Sequence, residues 1–367
     1  MNQPSLLKIM LLVPPAEGGM AEHVLSLLRG LDRGRFQLSL ACSTRGALAN
    51  QAKALGVPCY LLPISSIRNP VKSVWATMQF ARLVGKEQPD IIHAHSWSAG
   101  MAAALALRFI RPHPALLCTL HSFPAQSIFS RGTVNRVADA CDKIISVSRS
   151  LTELLNKSQL EKTVIIPNGI AFPESYPSPA EAREKLGLPQ DTAIVGAVAR
   201  LAPQKGIEVL LEAASRLDKV HFAVLGEGPL RNRLESRRCE LSLGDRFHLL
   251  GHRLDAKVLL PAFDMLAIPS LSEGAPLIAL EAMAAGCPII ASRLDSLEEI
   301  ITEGKTGLLV NPADPKALAD ALGYLFANPH IAASFSRTGT EHCRQKYTLE
   351  QMTQQVMTLY DNLVAAR

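Results

Sequence analysis

Short apolar runs alternate with longer stretches of helical periodicity along the whole chain. Leu6–Val13 reads as a buried strand. Met20–Leu31 then spaces Val24, Leu27, Leu28 and Leu31 as one face of a helix. The alternation goes on with strands at Phe36–Cys42, Pro58–Pro63, Asp90–His95, Ala115–Leu120, Lys143–Ser148 and Val164–Ile170, and helices at Gly46–Leu55 and over 70–87. Pro173, Pro177 and Pro179 fall within 171–180, which reads as a stiff linker. Beyond it the pattern restarts, with strands at Ala193–Arg200, Phe222–Leu225, Phe247–Arg253, Met265–Ile268, Pro288–Ser292 and Gly307–Val310. Helices are expected over 207–217, 276–285, 314–327, 330–345 and 348–363. Strand–helix alternation of this kind predicts parallel sheets with helical crossovers, here in two domains, 1–170 and 171–349.

Composition adds little to that picture, but charge divides it. The 367 residues are 48% hydrophobic, enough for sizeable cores, and no run approaches the ~20 apolar residues of a membrane span. Leu6–Val13 is too short for a signal peptide and meets Pro14-Pro15 at once. Seven scattered cysteines without Cys-x2-Cys spacing fit a reduced, cytoplasmic setting and no zinc site. Residues 1–170 carry 18 Lys and Arg against 9 Asp and Glu, net +9; residues 171–367 carry 20 against 24, net −4. A basic half beside an acidic one points to an anionic surface or substrate. Aromatics are only 5% and no basic–aromatic stacking cluster appears, so an anionic membrane surface or a lipid-linked phosphate is expected rather than nucleic acid. The helix over 70–87 offers two readings. Val71, Val74, Trp75, Met78 and Leu83 make a core-facing stripe behind a solvated basic face, or Trp75 with Arg68, Lys72, Arg82 and Lys86 makes a membrane-surface patch.

The candidate chemistry lies at strand exits, where ligands bind in open α/β sheets. Gly18-Gly19 follows the first strand; it is either a tight turn or a close approach of backbone to ligand, and it is not a Gly-x-Gly-x-x-Gly fingerprint. His93 and His95 share one face of their strand, but no third metal ligand lies nearby in sequence. Arg200 and Lys205 on one exit loop suit a diphosphate, though basic residues at strand ends are also commonly solvated. Glu273 stands in the loop before a helix and Glu281 within it. A helix start favours an anion, which leaves the two carboxylates as acceptors for sugar hydroxyls; plain dipole compensation is the bland alternative.

Taken together, Gly18-Gly19, Thr119-x-His121, Pro167-Asn168-Gly169, Arg200-x4-Lys205, Leu225-Gly226-x-Gly228-Pro229 and Glu273-x7-Glu281 resemble the retaining GT-B glycosyltransferases of family 4. The resemblance implies two Rossmann-like, doubly wound domains facing across a cleft, with the C-terminal helix, about 350–367, returning to the N-terminal domain. It implies transfer of a hexose or N-acetylhexosamine from a nucleotide diphosphate sugar, UDP-linked rather than GDP-linked. The acceptor would be a saccharide or lipid-linked molecule of cell-surface polysaccharide or glycolipid synthesis. Neither cofactor nor metal is expected. His121, Arg200, Lys205 and Glu273 would be catalytic. Gly18, Gly19, Gly251, Gly274, Ala275, Pro276, Leu277 and Glu281 would complete the donor site, and His95, Ser122 and Phe123 would stand on the acceptor side. Glu273-Gly274-Ala275-Pro276 replaces the family's usual Glu-Gly-Phe-Gly, so the loop that cups the sugar is its own. Cysteine usage and the basic N-terminal half together suggest a protein of the cytoplasm, peripheral at the inner face of the membrane. A nucleotide-sugar 2-epimerase and an inactive nucleotide-binding scaffold are the alternatives.

Overall fold

Two units divide the chain in this computed structural model: Met1–Gly169 with Leu349–Arg367, and Ile170–Thr348. The structure describes all residues except 1–5, 17, 44–45, 64–69, 123–130 and 367, and the side chains at 70–73, 131 and 133 are also outside the description. Arg68 and Phe123, and the side chain of Lys72, therefore lie outside the described residues.

The N-terminal unit runs β1 (Leu7–Val13), α1 (Gly19–Gly30), β2 (Phe36–Cys42), α2 (Ala47–Ala54), β3 (Cys59–Leu61), α3 (Pro70–Glu87) and β4 (Ile91–His95). It continues with α4 (Trp97–Leu107), β5 (Ala115–Leu120), α5 (Arg131–Ala140), β6 (Lys143–Ser146), α6 (Lys157–Leu160) and β7 (Thr163–Ile165). The C-terminal unit holds α7 (Pro179–Leu186), β8 (Ala193–Val198), α8 (Ile207–Ala214), β9 (Val220–Leu225), α9 (Arg231–Glu240), β10 (Phe247–Leu249) and β11 (Met265–Ile268). Then come α10 (Leu277–Ala284), β12 (Ile289–Ser292), α11 (Asp295–Glu298), β13 (Gly307–Val310), α12 (Pro315–Ala327) and α13 (Pro329–Lys346). The last helix, α14 (Leu349–Ala365), belongs to the N-terminal unit.

The strand orders are β3-β2-β1-β4-β5-β6-β7 and β10-β9-β8-β11-β12-β13. Every pairing is parallel, and central strands such as β5, β11 and β12 are buried along their whole length, as strands covered by helices on both faces must be. The doubly wound parallel sheets expected from the alternation are therefore present. In each unit the chain winds outward from its first strand, then reverses and winds the other way. The reversal opens a crevice at the carboxyl ends of β1 and β4, and another at those of β8 and β11.

Three local readings change. The linker ends earlier than its prolines suggest, because Ser178 caps a helix that starts with Pro179: its hydroxyl accepts from the Glu181 amide while the Glu181 carboxylate accepts from the Ser178 amide. Pro276 is the residue before α10 rather than within its first turn. In α3, Ala76, Phe80 and Val84 face the core, and Val74, Trp75 and Met78 are turned out at 61%, 54% and 52% exposure. Val74, Trp75 and Met78 thus lie off the buried stripe, whereas Leu83 is half-buried and the side chain of Val71 lies outside the described residues. Among the described residues no helix is long and apolar enough to cross a membrane.

Helix α14 is tied to the N-terminal sheet by polar contacts inside an apolar interface. Val356, Met357, Leu359, Tyr360 and Leu363 join the β1–β2 core. Tyr360 Oη bonds His93 Nδ1 on β4 at 2.7 Å, and Thr119 Oγ1 on β5 holds the other ring nitrogen at 2.6 Å. Burial drives the His93 pKa from 6.5 down to about 3, so the ring is neutral in the folded protein. The unfolded chain takes up this proton first, so the contribution to stability is complete above about 6.5 and is lost as pH falls towards 3. Tyr360→Phe should leave a buried ring nitrogen unpaired and cost about 1–3 kcal/mol at neutral pH by denaturant unfolding. His93→Gln should flatten the acid limb of the stability profile; an unchanged acid limb would show that His93 does not carry it.

Candidate active site

In the C-terminal unit the exit loops of β8 and β11 are pressed together by a backbone contact. Gly206 has φ +62°, and a Cβ there would stand 1.9 Å from the Pro269 carbonyl oxygen, so no other residue fits without moving the loop. Leu271 donates its amide to the Gln204 carbonyl at 2.8 Å and closes the same junction. Gly226 and Gly228 do likewise for the β9 exit, where a Cβ would reach 1.8 Å from the Ala199 oxygen or 2.4 Å from that of Leu201. Gly226 also donates its amide to the carbonyl of Gly251, which has φ +78° at the β10 exit.

This packing brings Lys205 to Glu273. Lys205 Nζ lies 2.6 Å from Glu273 Oε1, and the same oxygen accepts from Ser270 Oγ at 2.6 Å. The Glu273 side chain is 8% exposed and that of Lys205 26%, so the pair is largely out of water and stronger than a surface ion pair. Ser296 Oγ donates to the Glu273 carbonyl and holds the loop from the other side. Just beyond, α10 opens at Leu277 behind Pro276 with no side-chain cap and no acidic residue in its first turn. Gly274, Pro276 and Leu277 are buried and Ala275 half-buried, so their contribution to a ligand is their backbone. Arg200 is exposed on the β8 exit. The group can accept an anion at a helix start and hydroxyl groups at a fixed carboxylate. Glu281 lies in the second turn of α10; its charge and, chiefly, burial push the Tyr176 phenol up to about 12. Tyr176, Ser270 and Ser296 were not legible as members of this group.

In the N-terminal unit the crevice is built from histidines. Gly18, φ +62°, has no atom within 4 Å of where a Cβ would stand; its backbone angle rather than crowding calls for glycine as α1 opens at Gly19. His95 ends β4 and His121 follows β5, with His95 Nδ1 3.0 Å from His121 Nε2 and the rings stacked at 22°. His93 stacks on His95 at 4.3 Å, and His23 of α1 sets its edge against His121 at 4.6 Å. Asn168 Oδ1 holds His23 Nδ1 at 2.9 Å. The Thr119-x-His121 spacing now has a local cause: Thr119 pairs with His95 in the register, so Thr119 and His121 share the face that meets His93 and His95. Burial lowers the pKa of all four rings, that of His23 to about 4, and leaves them neutral.

The metal reading of this region needs a correction. Both nitrogens of His93 are taken, so His93 and His95 do not form a ligand pair, yet a third imidazole does come near His95. One nitrogen from each of His23, His95 and His121 lies within 4.8 Å of the other two, near enough to share a cation. His23 was missed because nothing in the α1 pattern separates it from other polar helix positions. Ser122 is exposed in the bend after His121, and Phe123 lies outside the described residues.

Residues 179–342 match the glycosyl transferases group 1 family and residues 17–172 match glycosyltransferase family 4. A D-inositol 3-phosphate glycosyltransferase of Corynebacterium urealyticum is 27% identical over 75% of this chain and 72% of its own. A UDP-Gal:alpha-D-GlcNAc-diphosphoundecaprenol alpha-1,3-galactosyltransferase of Escherichia coli is 29% identical over 84% of each. The HepE protein of Anabaena, crystallised with UDP and glucose, superposes with a TM-score of 0.86 over 97% of this chain and 99% of its own at 21% identity. Sucrose-phosphate synthase of Thermosynechococcus elongatus gives 0.83 over 98% of this chain and 100% of its own at 24% identity. These likenesses show the GT-B fold, and with the two family matches they make this chain a glycosyltransferase, a member of the group 1, family 4 enzymes.

Proposed function

We propose that this enzyme moves a hexose or N-acetylhexosamine from a UDP-sugar to a saccharide or lipid-linked acceptor with retention of configuration. The Lys205–Glu273 pair beside the open α10 start carries the reading, because it sets a cation for a diphosphate next to a carboxylate for sugar hydroxyls. Lys205, Arg200 and the α10 N-terminus neutralise the charge that grows on the leaving diphosphate, a task a divalent metal performs elsewhere. The acceptor hydroxyl attacks the anomeric carbon on the face from which the diphosphate departs. The bond to the phosphate oxygen breaks, and that oxygen takes the hydroxyl proton. Glu281 takes the ribose hydroxyls and Glu273 those of the sugar, with backbone at 274–277 around them and Gly251 bordering the base. The N-terminal unit contributes Gly18, Gly19 and His121 to the donor, and His95, Ser122 and Phe123 to the acceptor. UDP is favoured because the E. coli relative is named for a UDP-sugar and the Anabaena structure holds UDP.

The wild-type protein, given a panel of UDP-sugars and lipid-linked or free acceptors, should release UDP with one of them. Lys205→Ala should weaken UDP binding and turnover by about 1.5–3 kcal/mol, the range for a charge-assisted hydrogen bond. Unchanged UDP affinity by calorimetry would remove Lys205 from the diphosphate. Conversion of the donor to its 2-epimer without acceptor would favour the epimerase.

The two carboxylates separate by readout. Glu281→Gln should weaken affinity for free UDP, whereas Glu273→Gln should spare it and depress turnover. Equal losses of UDP affinity in the two would merge their roles.

A lipid-linked acceptor is supported by the basic balance of residues 1–170 and by Val74, Trp75 and Met78, which stand out from α3 with Arg82 and Lys86 exposed on the same helix. Each basic residue near an anionic leaflet contributes about 1 kcal/mol, so the protein should sediment with anionic vesicles at low salt and leave them as salt rises. Trp75→Ser should reduce the bound fraction. Protein that stays in solution with anionic and neutral vesicles alike points to a soluble acceptor.

A further inference from the structure

His95 Nε2 is buried and has no hydrogen-bond partner, although Nδ1 of the same ring meets His121 Nε2 at 3.0 Å. A bond between two neutral imidazoles needs a proton on one nitrogen and a lone pair on the other. Were the His95 proton on Nε2, a buried N–H would have nothing to donate to, which is the rarer and costlier kind of orphan. With the proton on Nδ1, the N–H is used on His121, and only a lone pair is left at Nε2 in a ring stacked on His93 at 4.3 Å. That choice settles the next ring. His121 Nε2 must accept, so its own proton must sit on Nδ1.

The surroundings hold His95 in place for this. His93 beneath it is fixed at both nitrogens by Tyr360 and Thr119. Ser96, the residue after His95, has φ +86°, a conformation that a residue other than glycine keeps only where its neighbours over-determine it. The Ser96 amide donates to the Thr119 carbonyl at 2.9 Å and its carbonyl accepts from Gly100, so the turn out of β4 is bound on both sides. Burial and the neighbouring imidazoles keep both rings of the pair neutral.

We propose that His95 is a positioning residue that fixes His121 as its Nδ1–H tautomer, so that His121 offers the donor sugar a permanent N–H and cannot serve as a base. The sugar contact rests on the functional reading above; the tautomer does not. A His121 so held stabilises an oxygen by donating to it, and the acceptor proton must leave by another route, which the departing phosphate supplies.

The test is nitrogen-15 NMR of protein labelled in its histidine rings, with the His121 signals identified by their loss in His121→Gln. His121 should show a protonated Nδ1 and a bare Nε2 in the wild type. In His95→Leu it should shift to a mixture of tautomers. In His95→Asn, whose amide N–H stands near the place of the lost Nδ1–H, it should stay as in the wild type. Turnover should fall about tenfold in His95→Leu, the worth of one ordinary hydrogen bond, with UDP affinity unchanged, and His95→Asn should recover most of it. A wild-type His121 protonated on Nε2, or a tautomer indifferent to His95→Leu, overturns the proposal. Because the spectrum needs no turnover, the expected tautomer in a protein that transfers no sugar would instead count against the functional reading alone.

Discussion

A carbonyl oxygen leaves no room for a side chain at Gly206, and most of the geometry around Lys205 and Glu273 follows from that contact. The Pro269 oxygen sits where a Cβ would be, so the exits of β8 and β11 can meet only with glycine in a left-handed conformation between them. Lys205 is the residue before that glycine, and Glu273 lies four residues beyond Pro269. The backbone therefore brings the two side chains within reach of each other, and their opposite charges close the 2.6 Å contact. A pre-set cation and carboxylate need little rearrangement when a ligand arrives, which is how an active site stabilises developing charge cheaply.

The N-terminal unit reaches the same end by a different means. Its crevice has no paired ions among His23, His93, His95 and His121; it has neutral imidazoles whose protons are distributed by their partners. Tyr360, Thr119 and Asn168 decide which nitrogens are taken, and burial keeps the rings from charging. One crevice is laid out in paired charges and the other in hydrogen-bond direction.

What the sequence made legible was whatever depends on near neighbours in the chain. Leu7–Val13 and Met265–Ile268 are strands because central strands of parallel sheets, buried on both faces, need near-continuous apolar runs, and the residues say so directly. The Glu273 loop and Glu281 helix were readable from Pro276 and Gly286, and Arg200 with Lys205 from their place at a strand exit. Helix α4 was not, because Trp97–Leu107 is apolar on nearly every side and has no 3.6-residue signal. Trp75 and Met78 stayed open between a core stripe and a surface patch of α3, since an exposed apolar residue and a buried one look alike in a one-dimensional pattern. The contacts of His23 with His121 and of Tyr360 with His93 join residues far apart in sequence. Only the order β1-β4-β5 and the return of α14 create them.

That return has a consequence for how the protein is made. The C-terminal unit is one continuous stretch, Ile170–Thr348, and every residue it needs has been synthesised before α14 begins. The N-terminal unit precedes it in the chain but lacks Tyr360, Met352 and Val356 from its core until α14 emerges. Domains usually finish folding in the order in which the ribosome delivers them. Here the first to be delivered must wait, and its histidine row is completed last, by residues added after the second unit is already whole.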